Sequence, residues 1–207
     1  MTKKKFLIAT GGTGGHVFPA YSLANYLTNR NFSVKLTVDE RGRKYLKDYD
    51  NLDLTIIPSS PLIKNNIFKL LFSILTNLFS LLKSLLFLLK NRPHIIFGMG
   101  GYSSFPICTA ALILRIKFIV YENNLIVGKA NKYLLPFFFF FFVSYKSLEG
   151  IPKKFEDKVI DIGNLIRKEI IYNNISDQIN EFEKINILVL GGSQAAKIFA
   201  VDLPEIF

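Results

Sequence analysis

Phe6-Leu-Ile-Ala-Thr-Gly-Gly-Thr-Gly-Gly-His16 runs from a short apolar stretch straight into a turn built from Gly11, Gly12, Gly14 and Gly15. A brief apolar run bounded by glycine reads as a strand buried on both faces, the kind a parallel sheet requires. Glycines at its end let the backbone turn sharply, and their N–H groups, with the N-terminus of a following helix, can hold an anion. The same phrase recurs as Ile95-Ile-Phe-Gly-Met-Gly-Gly-Tyr-Ser-Ser104 and as Ile187-Leu-Val-Leu-Gly-Gly-Ser-Gln194. One such turn needs no function beyond bending the chain. Three of them, with Thr13, His16, Ser103, Ser104, Ser193 and Gln194 in or beside them, point to a ligand that carries a diphosphate.

Around these turns, strand and helix patterns alternate, which predicts an α/β fold: a Rossmann-like, doubly wound parallel sheet. Strands are expected over 5–9, 33–38, 53–57, 94–97, 117–121, 138–143 and 159–162, and helices over 18–28, 41–47, 67–90, 105–114 and 129–134. Residues 1–163 are expected to form this first domain, 164–184 a polar linker, and 185–207 the first strand and helix of another domain. A single such unit cannot cover both faces of a parallel sheet, so these residues are expected to open that domain without completing it.

A formal charge of +10 and a pI near 9.6 invite a polyanionic partner. The lysines are scattered and no nucleic-acid motif accompanies them, so an anionic membrane surface is expected as partner and nucleic acid is not. The abundance of Phe, Ile, Lys and Asn is also what nucleotide bias alone would produce. Cys108 is the only cysteine, which excludes an intramolecular disulfide and a cysteine metal cluster and suits a reducing cytoplasm. The opening Met-Thr-Lys-Lys-Lys is followed by too short an apolar run for a signal peptide and reads as the approach to the first strand.

Residues 70–89 have the length of a membrane span but contain Thr76, Asn77, Lys83 and several serines, flanked by Lys69 and Lys90. A core-facing stripe is expected at Phe68, Leu71, Leu75, Leu78, Leu82, Leu85 and Leu89. Leu70, Phe72, Ile74, Phe79, Leu81, Leu86, Phe87 and Leu88 exceed what one stripe needs. Either the helix is buried on several sides or an apolar face lies on lipid. The run 137–142, all phenylalanine, is too short to span and reads as a central strand.

The first glycine turn is not the dinucleotide fingerprint: read from Gly12, G-x-G-x-x-G would need glycine where Val17 stands. Asp39, at the end of the second strand, occupies the place of a ribose-binding acid and keeps a nicotinamide-dependent enzyme as a third reading. His16 falls at the start of a helix, whose dipole favours a neutral imidazole able to act as a base; a helix cap or loop filler is the alternative. His94, beside Pro93 at a strand entrance, reads as structural.

Five motifs occur in order: Gly-Gly-Thr-Gly-Gly-His-Val-Phe-Pro-Ala20, Gly98-Met-Gly-Gly-Tyr-Ser-Ser-Phe-Pro106, Tyr121-Glu-Asn-Asn-Leu-Ile-Val-Gly-Lys-Ala-Asn131, Gly163-Asn-Leu-Ile-Arg167 and Gly191-Gly-Ser-Gln-Ala-Ala196. Together they resemble the MurG family of peptidoglycan N-acetylglucosaminyltransferases, across essentially the whole chain. The resemblance implies a GT-B arrangement of two Rossmann-like domains. The first would hold the lipid-linked muramyl-pentapeptide acceptor, lipid I, at the cytoplasmic side of the inner membrane as a peripheral protein. The second would supply most contacts to UDP-N-acetylglucosamine. Inverting transfer to the muramyl 4-hydroxyl would give lipid II, with no metal and no cofactor.

By the same resemblance, Thr13, Gly14 and Gly15 line the donor side of the cleft, with His16 as base or orienting group. Asn124, Arg167, Ser193 and Gln194 fall at donor-contacting positions. Gly100, Gly101, Tyr102 and Ser103 would form the acceptor-diphosphate loop, and Glu122 and Asn131 would support the cleft wall. The sequence departs from the family at Tyr121 for histidine, Asn123 for glutamine, Leu165 for proline and Ala195 for glycine. Most of the donor domain has no counterpart here, which leaves room for a separately encoded donor half as partner, or for a non-catalytic acceptor-binding module.

Overall fold

A computed structural model of the chain describes residues 3–47, 52–61, 66–167 and 170. The chain divides into two units, Met1–Lys168 and Glu169–Phe207, and the fold below is that of the first. The third glycine turn, with Ser193 and Gln194, and most of the expected linker lie outside the described residues.

Seven strands form one parallel sheet in the order β3-β2-β1-β4-β5-β6-β7. They are β1 (Lys5–Ala9), β2 (Ser33–Val38), β3 (Asp53–Ile56), β4 (Ile95–Gly98), β5 (Phe118–Glu122), β6 (Phe140–Val143) and β7 (Val159–Asp161). Helices α1 (Gly14–Asn29), α2 (Glu40–Arg43), α3 (Ile67–Asn91), α4 (Gly101–Ile113) and α5 (Lys129–Leu134) connect them. Alternation along β1 divides the core: Leu7 and Ala9 join Leu88, Ile107 and Ala110 beneath α3 and α4, while Ile8 joins Val17, Ala20 and Ala24 of α1. The chain reverses direction across the sheet between β1 and β4. Open α/β sheets bind ligands at this switch point.

Because every pair is parallel, the turns that leave β1 and β4 emerge side by side at the carboxyl edge. Ala9 pairs with Gly98, and Met99 N–H continues the ladder to Ala9 O at 2.9 Å. The two glycine turns therefore share one cleft edge. Both following helices begin inside their turns, at Gly14 and Gly101, earlier than the apolar periodicity of 18–28 and 105–114 indicates. Glycine carries no periodicity signal, so the first turn of each helix is silent in the sequence.

The expected orientation of α3 is corrected. Its inward line is Ser73, Asn77, Ser80, Ser84 and Leu88, whereas Phe68, Leu71, Leu75, Leu78, Leu82 and Leu89 are exposed and Leu85 is only partly covered. Ser73, Ser80 and Ser84 donate to the carbonyls of Lys69, Thr76 and Ser80 at 2.8, 2.6 and 2.7 Å. Bonded within their own helix, these hydroxyls need no partner across the interface, and their small size suits the close approach of α3 to α4. The helix is long and apolar enough to cross a membrane by length and composition, yet it connects β3 to β4 of one sheet and so returns at both ends to the same domain.

The phenylalanine run is also shorter as a strand than expected. Only residues 140–142 of it lie in β6, which sits next to the edge strand β7, while Phe138 packs beneath, stacked on Phe141 at 5.3 Å. On the α4 side, Gly98 leaves room for Cys108: a Cβ on Gly98 would stand 2.6 Å from the sulfur. Burial pushes the Cys108 thiol up to about 12, so it is a protonated, inert group in the folded chain. Thiol labelling at pH 8 is expected to be negligible in the native protein and to reach one equivalent in denaturant. Native labelling at the rate of a free thiol would contradict this packing.

Candidate active site

The first glycine loop is set by Asp39. Asp39 Oδ1 accepts from Gly12 N–H and Gly42 N–H, both at 2.8 Å, and Oδ2 accepts from Arg41 Nε at 3.0 Å, Arg41 Nη2 at 2.8 Å and Ser59 Oγ at 3.0 Å. Burial disfavours ionisation here, but the two backbone donors and the guanidinium outweigh it and hold the carboxyl below its ordinary range. With both oxygens occupied, Asp39 has no capacity for a ribose hydroxyl. The nicotinamide reading loses its one supporting residue.

Gly11, at φ +149°, passes between Asp39 and Ser103; a Cβ there would collide with Asp39 Oδ1 and stand 2.7 Å from Ser103 Oγ. Only glycine fits. Thr10 Oγ1 donates to His16 O at 2.8 Å, closing the loop over the start of α1. The Thr13 side chain makes no capping bond to that helix, and among the described residues the N–H groups of Gly14 and Gly15 have no partner. The second loop turns at Gly100 and Gly101, with φ of +82° and +73°. Ser104 bonds back to the carbonyls of Gly100 and Gly101, Tyr102 is exposed, and Ser103 points inward with its hydroxyl unpartnered among the described residues.

His16 joins the two loops. Its ring lies over Gly100 and Gly101, whose Cβ positions would be 3.3 Å from Nδ1 and 3.6 Å from Nε2. Burial under the second loop lowers the imidazole pKa, against the opposing influence of the Glu122 carboxylate and the Met99 carbonyl. The ring is therefore neutral near pH 7, and Nδ1 has no partner among the described residues. The sequence anticipates the direction of this shift; its main cause is the second loop.

The loop after β5 completes the edge. Glu122, 1% exposed, accepts from Asn124 N–H (3.2 Å), Asn124 Nδ2 (2.6 Å), Gly128 N–H (2.8 Å) and Asn131 Nδ2 (2.8 Å). Asn124 is thereby presented at the surface, while Asn131 is buried and acts as a support. Asn123 Nδ2 donates to Gly15 O at 2.8 Å, tying this loop to the first glycine loop. Arg167 reaches the same place with its guanidinium 4.3 Å from the Phe18 ring centre. Thr13, Gly14, Gly15, His16, Gly100, Gly101, Tyr102, Ser103, Asn124 and Arg167 thus gather at one edge with Glu122 and Asn131 behind them. Sequence reasoning missed Asp39 as the organiser of the loop and Arg41 beside it; the pairing of an acid with an arginine two residues on, right after a strand, was the available signal.

A parallel sheet with two glycine loops at its switch point and a neutral histidine between them has the form of a Rossmann-like ligand-binding domain. Residues 6–138 match the glycosyltransferase family 28 N-terminal domain, and the chain belongs to that family. It is 38% identical over 196 residues to the Pelagibacter ubique protein named UDP-N-acetylglucosamine--N-acetylmuramyl-(pentapeptide) pyrophosphoryl-undecaprenol N-acetylglucosamine transferase, covering 95% of this chain and 54% of that one. A Bartonella tribocorum protein of the same name is 35% identical over 213 residues, covering 98% and 53%. The chain spans about half the length of the curated relatives it matches. In fold it resembles crystalline Acinetobacter baumannii MurG, with a TM-score of 0.71 at 24% identity over 98% of this chain and 56% of that one.

The lowered pKa of His16 carries a sign. The unfolded chain binds the proton more readily than the folded one, so this contribution is complete above about pH 6.5 and is lost as pH falls toward the folded-state value. Denaturant midpoints are expected to fall between pH 7 and pH 5, and His16→Gln to remove part of that dependence. An imidazole titrating above 6.5 by NMR would overturn the burial argument.

Proposed function

We propose that this domain is the acceptor-binding half of an inverting N-acetylglucosaminyltransferase of peptidoglycan synthesis, acting from UDP-N-acetylglucosamine on undecaprenyl-pyrophosphoryl-muramyl-pentapeptide to convert lipid I into lipid II. The observation that carries the reading is the pair of open glycine loops bridged by neutral His16. Backbone N–H groups of the second loop, at Gly100 and Gly101, offer donors for the acceptor diphosphate, and those of Gly14 and Gly15 in the first loop serve the donor side. A neutral imidazole beside them is suited to receive or orient the proton of the attacking sugar hydroxyl, and Glu122 holds Asn124 toward the donor side. Electrophile and nucleophile must be held together for transfer, a positioning contribution of roughly 7–11 kcal/mol. Arg167, Ser193 and Gln194 are assigned to the donor side, where Arg167 would offer its fork to charged oxygens. A separately encoded donor half is a partner compatible with this assignment.

A lipid I analogue with a shortened prenyl chain is expected to bind the 207-residue chain, while UDP-N-acetylglucosamine binds weakly and turnover by the chain alone is slight. Calorimetry distinguishes these outcomes. No binding of the acceptor analogue would refute the acceptor assignment, and vigorous turnover abolished by Arg167→Ala would refute the division of labour between halves.

The same reading places the domain on the cytoplasmic face of the inner membrane, peripheral, with α3 as its contact. Phe72, Leu75, Phe79, Leu82 and Leu86 are exposed, and Lys69, Lys83 and Lys90 are exposed on the same helix. Apolar burial in the interface and attraction of each lysine to anionic lipid, on the order of 1 kcal/mol per residue, would act together. Lys64, another candidate contact, lies outside the described residues. Co-sedimentation with vesicles containing phosphatidylglycerol is expected to fall with salt and to be lost in Phe79→Glu/Leu82→Glu. Equal binding to neutral vesicles would remove the electrostatic part, and no binding to either would remove the assignment.

A further inference from the structure

We infer that Arg41 is a further diphosphate-binding residue of the first glycine loop, held in place by Asp39; this rests on the reading of that loop as an anion site. Nε and Nη2 of Arg41 both donate to Asp39 Oδ2, at 3.0 and 2.8 Å, so one edge of the guanidinium is fixed. Nη1, on the far side, has no partner among the described residues, and the side chain is 51% exposed although the acid it pairs with is nearly buried. The donors that Asp39 does not use are therefore open to a ligand.

Its position brings those donors to the first glycine loop. Nη2 lies 3.9 Å from where a Cβ of Gly12 would stand, and the other oxygen of the same carboxylate holds Gly12 N–H. One acid therefore fixes both the loop and the cation beside it. A planar fork fixed on one edge presents its remaining donors at low entropic cost, which suits the paired oxygens of a diphosphate. An independent observation lies on the other side of the loop: Ser103, 4% exposed, has a hydroxyl against Gly11 with no partner among the described residues. Arg167, over the ring of Phe18, which itself packs on Gly14, adds a second guanidinium to the border of the loop.

Calorimetric titration of the 207-residue chain with inorganic diphosphate tests this, with Arg41→Gln expected to weaken binding about ten-fold, or 1.4 kcal/mol. Far-UV circular dichroism and protection of Cys108 establish that the variant is folded. Binding by Arg41→Gln within two-fold of the wild type would overturn the role of Arg41 and leave the glycine-loop site standing. No binding by the wild type at millimolar diphosphate would overturn both. NMR of the wild-type chain gives a test that needs no variant: the Arg41 Nε–Hε signal should move along the same isotherm as the Gly14 and Gly15 amides. A signal unmoved at saturation overturns the proposal. Geranyl diphosphate and UDP, titrated in parallel, separate an acceptor diphosphate from a donor diphosphate by which of them loses affinity in Arg41→Gln.

Discussion

The carboxylate of Asp39 is the constraint on which the cleft edge depends. It is nearly buried, so leaving either oxygen unpaired would cost more than the bonds it makes contribute individually. That penalty is avoided only if Gly12 turns its N–H inward, α2 begins where Gly42 can donate, and Arg41 and Ser59 close on the second oxygen. The first glycine loop is consequently not a slack segment that happens to contain glycine. Its path is fixed from one side by an acid and from the other by Ser103 of α4, with Gly11 between them where no side chain fits. Since Ser103 belongs to the helix of the second loop, the two loops cannot move independently, and His16 over Gly100 and Gly101 strengthens the coupling.

A second constraint acts on α3. A helix with apolar residues around most of its circumference must choose which to bury, and here the choice falls on serines because the interface rewards closeness more than hydrophobicity. Internal bonding of Ser73, Ser80 and Ser84 removes the cost of burying their hydroxyls. What remains outside is a row of exposed apolar side chains, the kind of surface that marks an interaction site. The same inversion explains why counting hydrophobic residues at helical spacing misassigned the inner face: Phe68, Leu71 and Leu75 have the right period and the wrong direction.

Strand positions were legible because parallel strands buried on both faces leave runs bounded by glycine and charge; β1 and β2 have the expected limits. The gathering of His16, Gly100, Gly101 and Asn124 was legible for a related reason, since residues that end parallel strands converge on one edge. What the sequence concealed depends on contacts distant along the chain. Asp39 reads as a ribose ligand when seen only at the end of a strand, and becomes a loop anchor once Gly12 and Ser59 are seen to converge on it. Asn131 reads as a support of the cleft wall, but the partner on which its amide is spent, the buried Glu122 carboxylate, is seen only in the structure. Nothing in the local sequence of either residue records those partners.

Tyr121 and Leu165, where the family resemblance implies histidine and proline, are bonded to one another. Proline at 165 would bring no N–H to satisfy, whereas leucine brings one to a partly buried position. The phenol of Tyr121 lies where it can accept that N–H, at 3.3 Å, and it also shares a 2.6 Å hydrogen bond with Ser144, with Gly163 O at 3.4 Å. An imidazole at this position would have a shorter reach and a different donor arrangement. The tyrosine hydroxyl serves as acceptor toward Leu165 while remaining paired within the sheet edge, so the segment that follows β7 is fastened across the carboxyl ends of the strands. That fastening directs the chain toward Arg167 and its contact with Phe18. The bond between Tyr121 and Leu165 therefore supports the approach of Arg167 to Phe18 beside the first glycine loop.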